Sequence, residues 1–416
     1  MKIILLTNLF PFGEKETFIM SEINYFESQG IEVEIVPTEL MDKDLVIRSN
    51  YNKQYPIKKI EKKMNKISRS KYLLQSLFQY STWQEIYFQY KRNKLNFKSF
   101  YRIIGFISRG NYILENLKIL YAADLKSSNK EKVLFYSYWN LESAYAISKL
   151  KESKRISAIS RAHGVDIYEY RRRANIELLP MKNFILNKLD RIFTISKDGK
   201  EYLLHQFGDF SNVRISYLGT EDFGFKDFSL SHTPFKIVSC SRLTPIKNVN
   251  YLIDVLKEIK DVDILWTHFG DGPERETIEE KVENLPRNIR VNIRGDLSHE
   301  EVIKSYQNED YHLFINTSIS EGVPVSIMEA ISFGIPVLAT KVGGTKEIIK
   351  DSINGYCIPS SSSPKEFAKY IASIYELDKS HYSNLRKNTR KYWEHNFSYE
   401  KNYEKFIDEI KSIGEN

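Results

Sequence analysis

The chain has 416 residues, of which 42% are hydrophobic and 13% aromatic, and its net charge is +7. This length exceeds the size at which one hydrophobic core keeps growing, so we expect two domains. The hydrophobic content excludes a disordered chain. The two cysteines, Cys240 and Cys357, lie in apolar runs, which indicates no disulfide framework and favours a reducing compartment.

Membrane-spanning segments are not predicted, because no apolar run approaches the ~20 residues that cross a bilayer. The apolar start at residues 1–6 is too short for the core of a signal peptide and predicts a first strand. We therefore expect a cytoplasmic protein.

Short apolar runs alternate with longer helical patterns, which is typical of βαβ units on parallel sheets. Two series of strands are predicted, at residues 3–6, 33–36, 133–136, 156–161, 191–195 and 212–216, and then at 236–240, 263–268, 290–293, 311–315, 337–339 and 355–358. Residues 220–234 lack apolar periodicity and predict a linker, and a helix is expected from residue 398. Ligands of such sheets bind outside the carboxyl ends of the strands.

A basic stretch lies between Lys53 and Arg102, with thirteen Lys or Arg against two acids, and aromatic residues are interleaved with its charges. This pattern suits an anionic membrane surface, where Lys58, Lys59, Lys62 and Lys63 would bind lipid and Trp83 would set the depth of contact. Two alternatives stay open. One is a solvated helical face above a core-facing aromatic stripe. The other is single-stranded nucleic acid, whose bases stack on aromatic rings.

Glu321 and Glu329 flank the predicted start of a helix that follows the strand at 311–315. Pro324 suits the first helical turn, where its missing N–H is no loss, and Gly334 ends the helix. Glu321 therefore belongs to the loop and Glu329 to the helix.

The backbone N–H groups of Gly322, Val323 and Val325 would then lie at the positive end of this helix, which is a natural seat for a phosphate. Beside that seat, Glu321 would accept hydrogen bonds from hydroxyl groups of the molecule that carries the phosphate. The alternative is structural: Glu321 accepts backbone hydrogen bonds and Glu329 belongs to a solvated helix face.

Further candidate ligand-binding residues follow other predicted strands. Arg242 and Lys247 follow the strand at 236–240, and an Arg fork with a Lys point charge suits a diphosphate. Gly270 and Gly295 follow the next two strands and permit close backbone approach, to a planar base in the case of Gly295. His163 follows the strand at 156–161, with Gly164 after it.

A capping box, by contrast, accounts for Ser298 and Glu301 without a ligand. Metal binding is not expected either. Asp261 and Asp263 have an Asp-x-Asp spacing but precede a strand, so they predict a polar turn, and no zinc-like cluster of ligands is evident.

In combination these motifs resemble the retaining glycosyltransferases of family 4. The resemblance covers roughly residues 155–360 and rests on motifs in the family's order: His163-Gly-Val-Asp166, Ser241-Arg-Leu with Lys247-Asn248, Gly270-Asp-Gly-Pro273 and Glu321 with Glu329. It implies the GT-B fold, an α/β architecture in which two Rossmann-like domains with parallel sheets face each other across a cleft. The implied domains are residues 1–222, which bind the acceptor, and 235–392, which bind a nucleotide sugar, with the helix at 398–416 packing back on the first.

The opening segment, Asn8-Leu-Phe-Pro11 with Glu16-Thr-Phe-Ile19 and Glu22-Ile23, is similar to the bacterial exopolysaccharide branch of the family. It departs in one respect, since Gly13 stands alone where many members carry a Gly-Gly pair. The resemblance implies donor contacts by Gly13, Gly270 and Gly295. No family motif matches the region of about 40–130, which we expect to be a basic, aromatic helical insertion.

Roles for side chains follow from the resemblance as well. Arg242 and Lys247 would neutralise the diphosphate as it leaves, which matters most in the transition state. Glu321 would hold hydroxyls of the sugar, and Glu329 those of the ribose. His163 would lie against the sugar near the reacting carbon.

The expected function is retaining, metal-independent transfer of a sugar, without a further cofactor. The donor is a nucleotide-diphosphate sugar, UDP-linked by family frequency, and the acceptor a polysaccharide or lipid-linked precursor at the inner face of the cell membrane. One alternative is a soluble transferase with a small-molecule or protein acceptor. A nucleic-acid-binding protein is the other, but that function would leave Arg242, Lys247, Glu321 and Glu329 unexplained.

Overall fold

All twelve predicted strands are present in the computed structural model of the protein, each within two residues of its predicted bounds. The structure describes residues 1–413 except 14–15, 17–18, 41–45, 48–50, 52–54, 61–65, 126–132, 154–155, 172–176, 227 and 229–233. The chain divides into two units, Met1–Ser216 with Tyr403–Asn416, and Tyr217–Asn402.

The first unit contains a six-stranded sheet in the order β2-β1-β3-β4-β5-β6, and every neighbouring pair is parallel. Its strands are β1 (Lys2–Thr7), β2 (Glu32–Pro37), β3 (Val133–Ser137), β4 (Ser157–Ala162), β5 (Arg191–Thr194) and β6 (Val213–Ile215). Five of these strands are buried along nearly their whole length because helices cover both faces of a parallel sheet, whereas the edge strand β6 is buried only at Val213. Two buried clusters accordingly share the strands, and the C-terminal residues Phe406, Ile407 and Ile410 belong to one of them.

Helices of this unit fill the connections between its strands. They are α1 (Ile19–Ser28), α2 (Lys66–Phe78), α3 (Tyr80–Lys91), α4 (Phe97–Leu120), α5 (Glu142–Ser153), α6 (Gly164–Ile167), α7 (Lys182–Lys188) and α8 (Lys197–Phe207). The expected insertion contains three helices, since α2, α3 and α4 all lie between β2 and β3, while its residues 55–60 are not helical.

The second unit contains another parallel six-stranded sheet, in the order β12-β11-β10-β7-β8-β9. Its strands are β7 (Phe235–Cys240), β8 (Ile264–Phe269), β9 (Ile289–Ile293), β10 (Leu313–Asn316), β11 (Val337–Thr340) and β12 (Gly355–Ile358). One buried cluster unites these strands with the helices that cover them.

The helices of the second unit alternate with its strands and continue to the end of the chain. They are α9 (Val249–Lys257), α10 (Arg275–Val282), α11 (His299–Asn308), α12 (Val325–Ser332), α13 (Thr345–Ile348), α14 (Pro364–Tyr375), α15 (Lys379–Asn396) and α16 (Tyr399–Lys411), of which α16 crosses the boundary between the units. Part of the segment 220–234, expected as a linker, lies outside the described residues. Its start is packed within the second unit, where the Thr220 N–H donates to Phe397 O at 3.0 Å.

None of the helices in the described part of the chain combines the length and the apolar character needed to cross a membrane.

Candidate active site

The order of strands in the second sheet brings two predicted loops together. β7 and β10 are neighbours at the centre of the sheet, and the chain winds outwards from them in opposite directions. Loops that leave the carboxyl ends of such strands diverge and open a crevice. A depression with an empty volume of about 220 Å³ lies there, and its lining includes Cys240 and Lys247 from the β7 side and Asn316 and Ser318 from the β10 side.

Glu321 and Lys247 meet at this crevice. The Lys247 ammonium donates to Glu321 Oε1 at 2.7 Å, and Ser318 Oγ and Asn316 Nδ2 donate to the same oxygen at 2.6 and 3.3 Å. Glu321 is buried, with 6% of its surface exposed. Its second oxygen, Oε2, accepts no hydrogen bond from the described residues. The carboxylate is therefore held through one oxygen and presents the other.

The backbone of the Glu321 loop is held by a pair of glycines that the sequence reasoning missed. The Gly344 N–H donates to Gly322 O at 2.8 Å. A Cβ on Gly343 would lie 1.9 Å from Glu321 O, and one on Gly344 would lie 2.2 Å from Gly322 O. Only glycine fits so close to another backbone. The Gly-Gly pair in the loop after β11 was the available signal.

The start of α12 has free hydrogen-bond donors. Val325 is its first residue, and Pro324 precedes it in an extended conformation with φ −72° and ψ 110°, so the placement of Pro324 inside the first turn was wrong by one position. Gly334 follows the helix with φ 70°, as a helix stop requires. The N–H groups of Gly322, Val323 and Val325 donate to none of the described residues.

Glu329 lies on α12 with a partner that was not predicted. His299, the first residue of α11, donates from Nε2 to Glu329 Oε1 at 2.8 Å, if the proton is assigned to that nitrogen. The hydrogen bond to Glu329 raises the pKa of His299, and the charge of Glu329 acts in the same direction. Glu329 is buried rather than solvated. The capping box of Ser298 and Glu301 that sets the start of α11 is confirmed.

Gly270 and Gly295 lie together after β8 and β9, where the Gly270 N–H donates to Gly295 O at 2.8 Å. Gly270 has a φ of 134°, and a Cβ on it would lie 1.9 Å from Ser241 O. The close approach at Gly270 is therefore a contact between two loops of the second unit, the loop after β7 and the loop after β8. Arg242, next to Ser241, is exposed, and its guanidinium makes no hydrogen bond or ion pair with any described residue.

Cys240, which lines the depression, is a free cysteine. Burial raises the pKa of its thiol to about 12. The thiol is therefore protonated near neutral pH and is not a nucleophile.

His163 belongs to the first unit and is buried at the carboxyl end of β4, between Tyr138 and Trp139. The centroid of the His163 ring lies 4.9 Å from the centroid of the Tyr138 ring and 4.5 Å from that of the Trp139 ring. Burial and the Arg161 guanidinium hold the pKa of His163 well below its ordinary value, so the imidazole is neutral.

The backbone around His163 is held by a polar network that the sequence did not reveal. The Asp166 carboxylate accepts the His163 N–H and, at 2.6 Å, the Asn140 N–H. The buried Lys182 ammonium donates to Asn140 O at 2.6 Å and to Asp166 O at 2.8 Å. Loops that follow β3 and β4 are thereby joined.

A second group of hydrogen bonds organises the loop after β1, which contains Gly13. The Glu16 carboxylate accepts N–H groups from Leu9 at 2.8 Å and from Phe10 at 2.7 Å, and also accepts the indole N–H of Trp139. Because Trp139 contacts His163, the loops after β1, β3 and β4 are linked. Gly13 is exposed with φ 62°, and its Cβ position is open. Thr17 and Phe18 of the opening motif lie outside the described residues.

Within the described residues no three His, Cys, Asp or Glu side chains are gathered as a metal site would require. Asp261 and Asp263 immediately precede β8, at the entry of the strand as expected.

Comparison with known proteins identifies the second unit. Residues 221–392 match the family model of glycosyl transferases group 1. The putative colanic acid biosynthesis glycosyltransferase WcaL of Escherichia coli K12 is 24% identical over 411 residues, which cover 94% of each chain.

Two solved structures share the fold of the whole chain. The lipopolysaccharide outer core galactosyltransferase WaaB has a TM-score of 0.70 at 16% identity and 99% coverage of both chains. Anabaena HepE in complex with UDP-glucose has a TM-score of 0.66 at 15% identity, covering 99% of this chain and all of that one. The whole chain therefore has the GT-B fold, and residues 221–392 of its second unit match the glycosyl transferases group 1 family.

Proposed function

We propose that the protein transfers a sugar from a nucleoside diphosphate donor, with retention of the anomeric configuration, to a polysaccharide or lipid-linked oligosaccharide precursor. The observation that carries this proposal is the carboxylate of Glu321. One of its oxygens is fixed by three donors and the other accepts from no described residue, beside unpaired N–H groups at the start of α12.

The diphosphate is the group that this part of the site suits best. The N–H groups of Gly322, Val323 and Val325 point away from the positive end of α12, where a phosphate is stabilised. Lys247 has three donor hydrogens and uses one on Glu321, so it retains two for phosphate oxygens. Arg242 adds a fork of donors. Together these groups neutralise the charge that builds on the leaving diphosphate, which lowers the barrier.

The two glutamates divide the rest of the donor between them. Glu321 Oε2 accepts a hydroxyl of the transferred sugar, and Glu329 accepts the ribose hydroxyls while His299 holds its other oxygen. The backbone at Gly13, Gly270 and Gly295 completes the donor contacts. His163, a neutral imidazole between aromatic rings, orients the sugar near its reacting carbon.

In the chemical step, the bond between the anomeric carbon and the diphosphate oxygen breaks, and the acceptor oxygen bonds to the same face of that carbon. The acceptor proton passes to the released phosphate oxygen. No carboxylate nucleophile is needed, unlike in a retaining glycosidase. Because Arg242 and Lys247 supply positive charge, we propose that the reaction proceeds without a metal ion.

UDP is the proposed nucleoside diphosphate, since the fold neighbour HepE was solved with UDP-glucose. A polysaccharide precursor is the proposed acceptor class because WcaL is named for colanic acid biosynthesis. Such precursors are lipid-linked at the inner face of the cell membrane, and we place the enzyme there.

A panel of nucleotide sugars tests this proposal. The matching donor should raise the melting temperature by mass action and be hydrolysed slowly in the absence of acceptor. Proton NMR of the released sugar should show the donor's anomeric configuration first, and chelator should leave the rate unchanged. Inversion, or loss of turnover with chelator, would contradict the mechanism.

A further inference from the structure

One face of helix α3 exposes four aromatic side chains, while three polar side chains on the opposite face are buried. Tyr80, Trp83, Tyr87 and Tyr90 are 78%, 54%, 60% and 65% exposed. Their spacing of three, four and three residues places them on one face of the helix. Thr82, Glu85 and Gln89 are buried on the opposite face.

The buried polar side chains of α3 have hydrogen-bond partners. Thr82 Oγ1 donates to Ser76 O at 2.6 Å, and Gln89 Nε2 donates to Glu85 Oε1 at 2.8 Å. Burial raises the pKa of Glu85. A buried polar group without a partner is costly, so these bonds make burial of this face tolerable. Ile86 and Phe88 of α3 pack against the core of the first unit, and the face with Tyr80, Trp83 and Tyr87 is left exposed.

The neighbouring helices extend this exposed face. On α2, Ile67, Leu74 and Phe78 share one side of the helix and are 83%, 57% and 85% exposed. On α4, Phe97 and Tyr101 are exposed and their rings contact each other. Seven of the eight strongly exposed aromatic residues in the described part of the chain fall on these three helices. Such concentration marks an interaction surface, whereas single exposed apolar residues do not.

The charge around this face is of one sign. Glu85 is the only acid between residues 66 and 114, and it is buried. Lys71, Lys91 and Lys98 are exposed on α2, α3 and α4. The ammonium groups of Lys71 and Lys91 lie 5.1 and 5.3 Å from the ring centroids of Tyr72 and Tyr87, so charge and aromatic surface are interleaved.

The lysines that the sequence analysis expected to bind lipid do not lie on α2, α3 or α4. Lys58 forms an ion pair with Glu34 at 3.0 Å, and the ammonium of Lys59 lies 4.8 Å from the ring centroid of Phe12. Lys62 and Lys63 lie outside the described residues. The aromatic residues of α3 are divided, since Phe88 packs against the core of the first unit while Tyr80, Trp83, Tyr87 and Tyr90 are exposed.

We propose that the outward face of α2, α3 and α4 binds the headgroup region of an anionic lipid bilayer. Tyrosine and tryptophan favour that region because their rings are apolar and their polar atoms reach water, and the lysines are drawn to its negative charge. Ile67 and Leu74 enter the acyl boundary. These aliphatic side chains favour lipid over single-stranded nucleic acid, because they offer no ring on which a base stacks. The proposal rests on the lipid-linked acceptor proposed above, which it brings to the enzyme.

Vesicle binding by the full-length protein tests this surface. Vesicles of equal parts phosphatidylglycerol and phosphatidylcholine should bind the protein at low salt, and phosphatidylcholine alone should bind it much less. Trp83 is the most exposed tryptophan in the chain, since Trp266 and Trp393 are buried and Trp139 is partly buried. Emission should therefore shift to the blue on binding, and Trp83→Phe should remove the shift.

Two sets of substitutions give the controls. Replacing Lys71, Lys91 and Lys98 by Gln should lower vesicle partitioning roughly tenfold to a hundredfold, since each lysine near an anionic surface adds about one factor of five. Replacing the exposed lysines Lys365, Lys369 and Lys379 of the second unit by Gln removes the same charge and should leave partitioning nearly unchanged. Trp83→Gln with Tyr87→Gln should weaken binding even where the lysines remain.

Three outcomes would overturn the proposal: no vesicle binding by the parent, equal losses in both lysine triples, or binding of single-stranded RNA in place of vesicles. Concentration-dependent dimerisation that the aromatic substitutions abolish would assign the face to a second copy and overturn it as well. Donor hydrolysis is measured in parallel on all variants. Vesicle binding without hydrolysis would contradict the proposed function alone, and hydrolysis without vesicle binding would contradict this surface alone.

Discussion

Lys247 Nζ lies 2.7 Å from Glu321 Oε1, although 74 positions separate the two residues in the chain. The sequence assigned Lys247 to a diphosphate and Glu321 to a sugar, and the structure makes them partners. A lysine that bridges the carboxylate and the diphosphate couples recognition of the sugar to stabilisation of the leaving group.

This pairing separates Lys247 from Arg242 experimentally. Arg242→Ala should weaken UDP binding by roughly tenfold to a hundredfold, the loss of a charge-assisted contact, and leave stability within about 0.5 kcal/mol because Arg242 is exposed. Lys247→Ala should weaken binding similarly and also lower the free energy of unfolding by about 1–3 kcal/mol, since Glu321 loses a partner while buried. Calorimetry with UDP and urea denaturation measure the two effects. Equal stability of both variants would refute a structural role for the ion pair.

The two glutamates should affect different parts of the donor. Glu329→Ala should weaken binding of free UDP and of the sugar donor alike. Glu321→Gln keeps an oxygen for Lys247 and Ser318 but removes the second carboxylate oxygen, so it should spare UDP and impair the UDP-sugar and its transfer. Titration calorimetry measures the affinity of both variants for UDP and for the UDP-sugar. An equal loss of affinity for free UDP in the two variants would contradict the separate roles of the two glutamates.

His299 should make stability depend on pH. Its hydrogen bond to Glu329 raises the pKa of His299 in the folded protein above the ordinary ~6.5. The pair therefore stabilises the fold fully below the unfolded pKa, and this contribution is lost as the pH rises through the folded pKa. Melting temperatures of the parent and His299→Gln should differ more at about pH 6 than at about pH 9. A difference that grows with pH would exclude this pairing.

Gly343 tests the backbone support of the site. Gly343→Ala would place a Cβ 1.9 Å from Glu321 O at a φ of 49°, so the Glu321 loop must move. We expect transfer to fall at least a hundredfold, since donor contacts and catalytic geometry are lost together. Gly30→Ala is the matched control, because Gly30 has a similar φ of 66°, open space around its Cβ position and no part in the proposed donor contacts. It should cost only the local strain of about 1–2 kcal/mol. Similar rates for the two variants would show that the close contact at Gly343 does not matter.

Much of the fold was determined by the sequence alone. All twelve strands were predicted because each is a short, largely apolar run of three to six residues bounded by polar or glycine-rich loops, and that pattern is local. The helix start after Glu321 and the capping box at Ser298 were predicted for the same reason, since a helix end depends on a few neighbouring residues.

Contacts between loops were decided only by the tertiary structure. The order β12-β11-β10-β7-β8-β9 makes β7 and β10 neighbours and thereby brings Lys247 to Glu321. His299 meets Glu329 across 30 positions of the chain, and Gly343 meets Glu321 across 22. The choice of which face of α3 is exposed was also decided only by the tertiary structure. The sequence of this helix left open whether the aromatic residues face the core or an interaction surface, and in the structure Thr82 and Gln89 are buried while Trp83 is exposed. Local patterns specify the elements, whereas the pairing of strands and the burial of polar groups specify which side chains meet, because those energies depend on residues far apart in the chain.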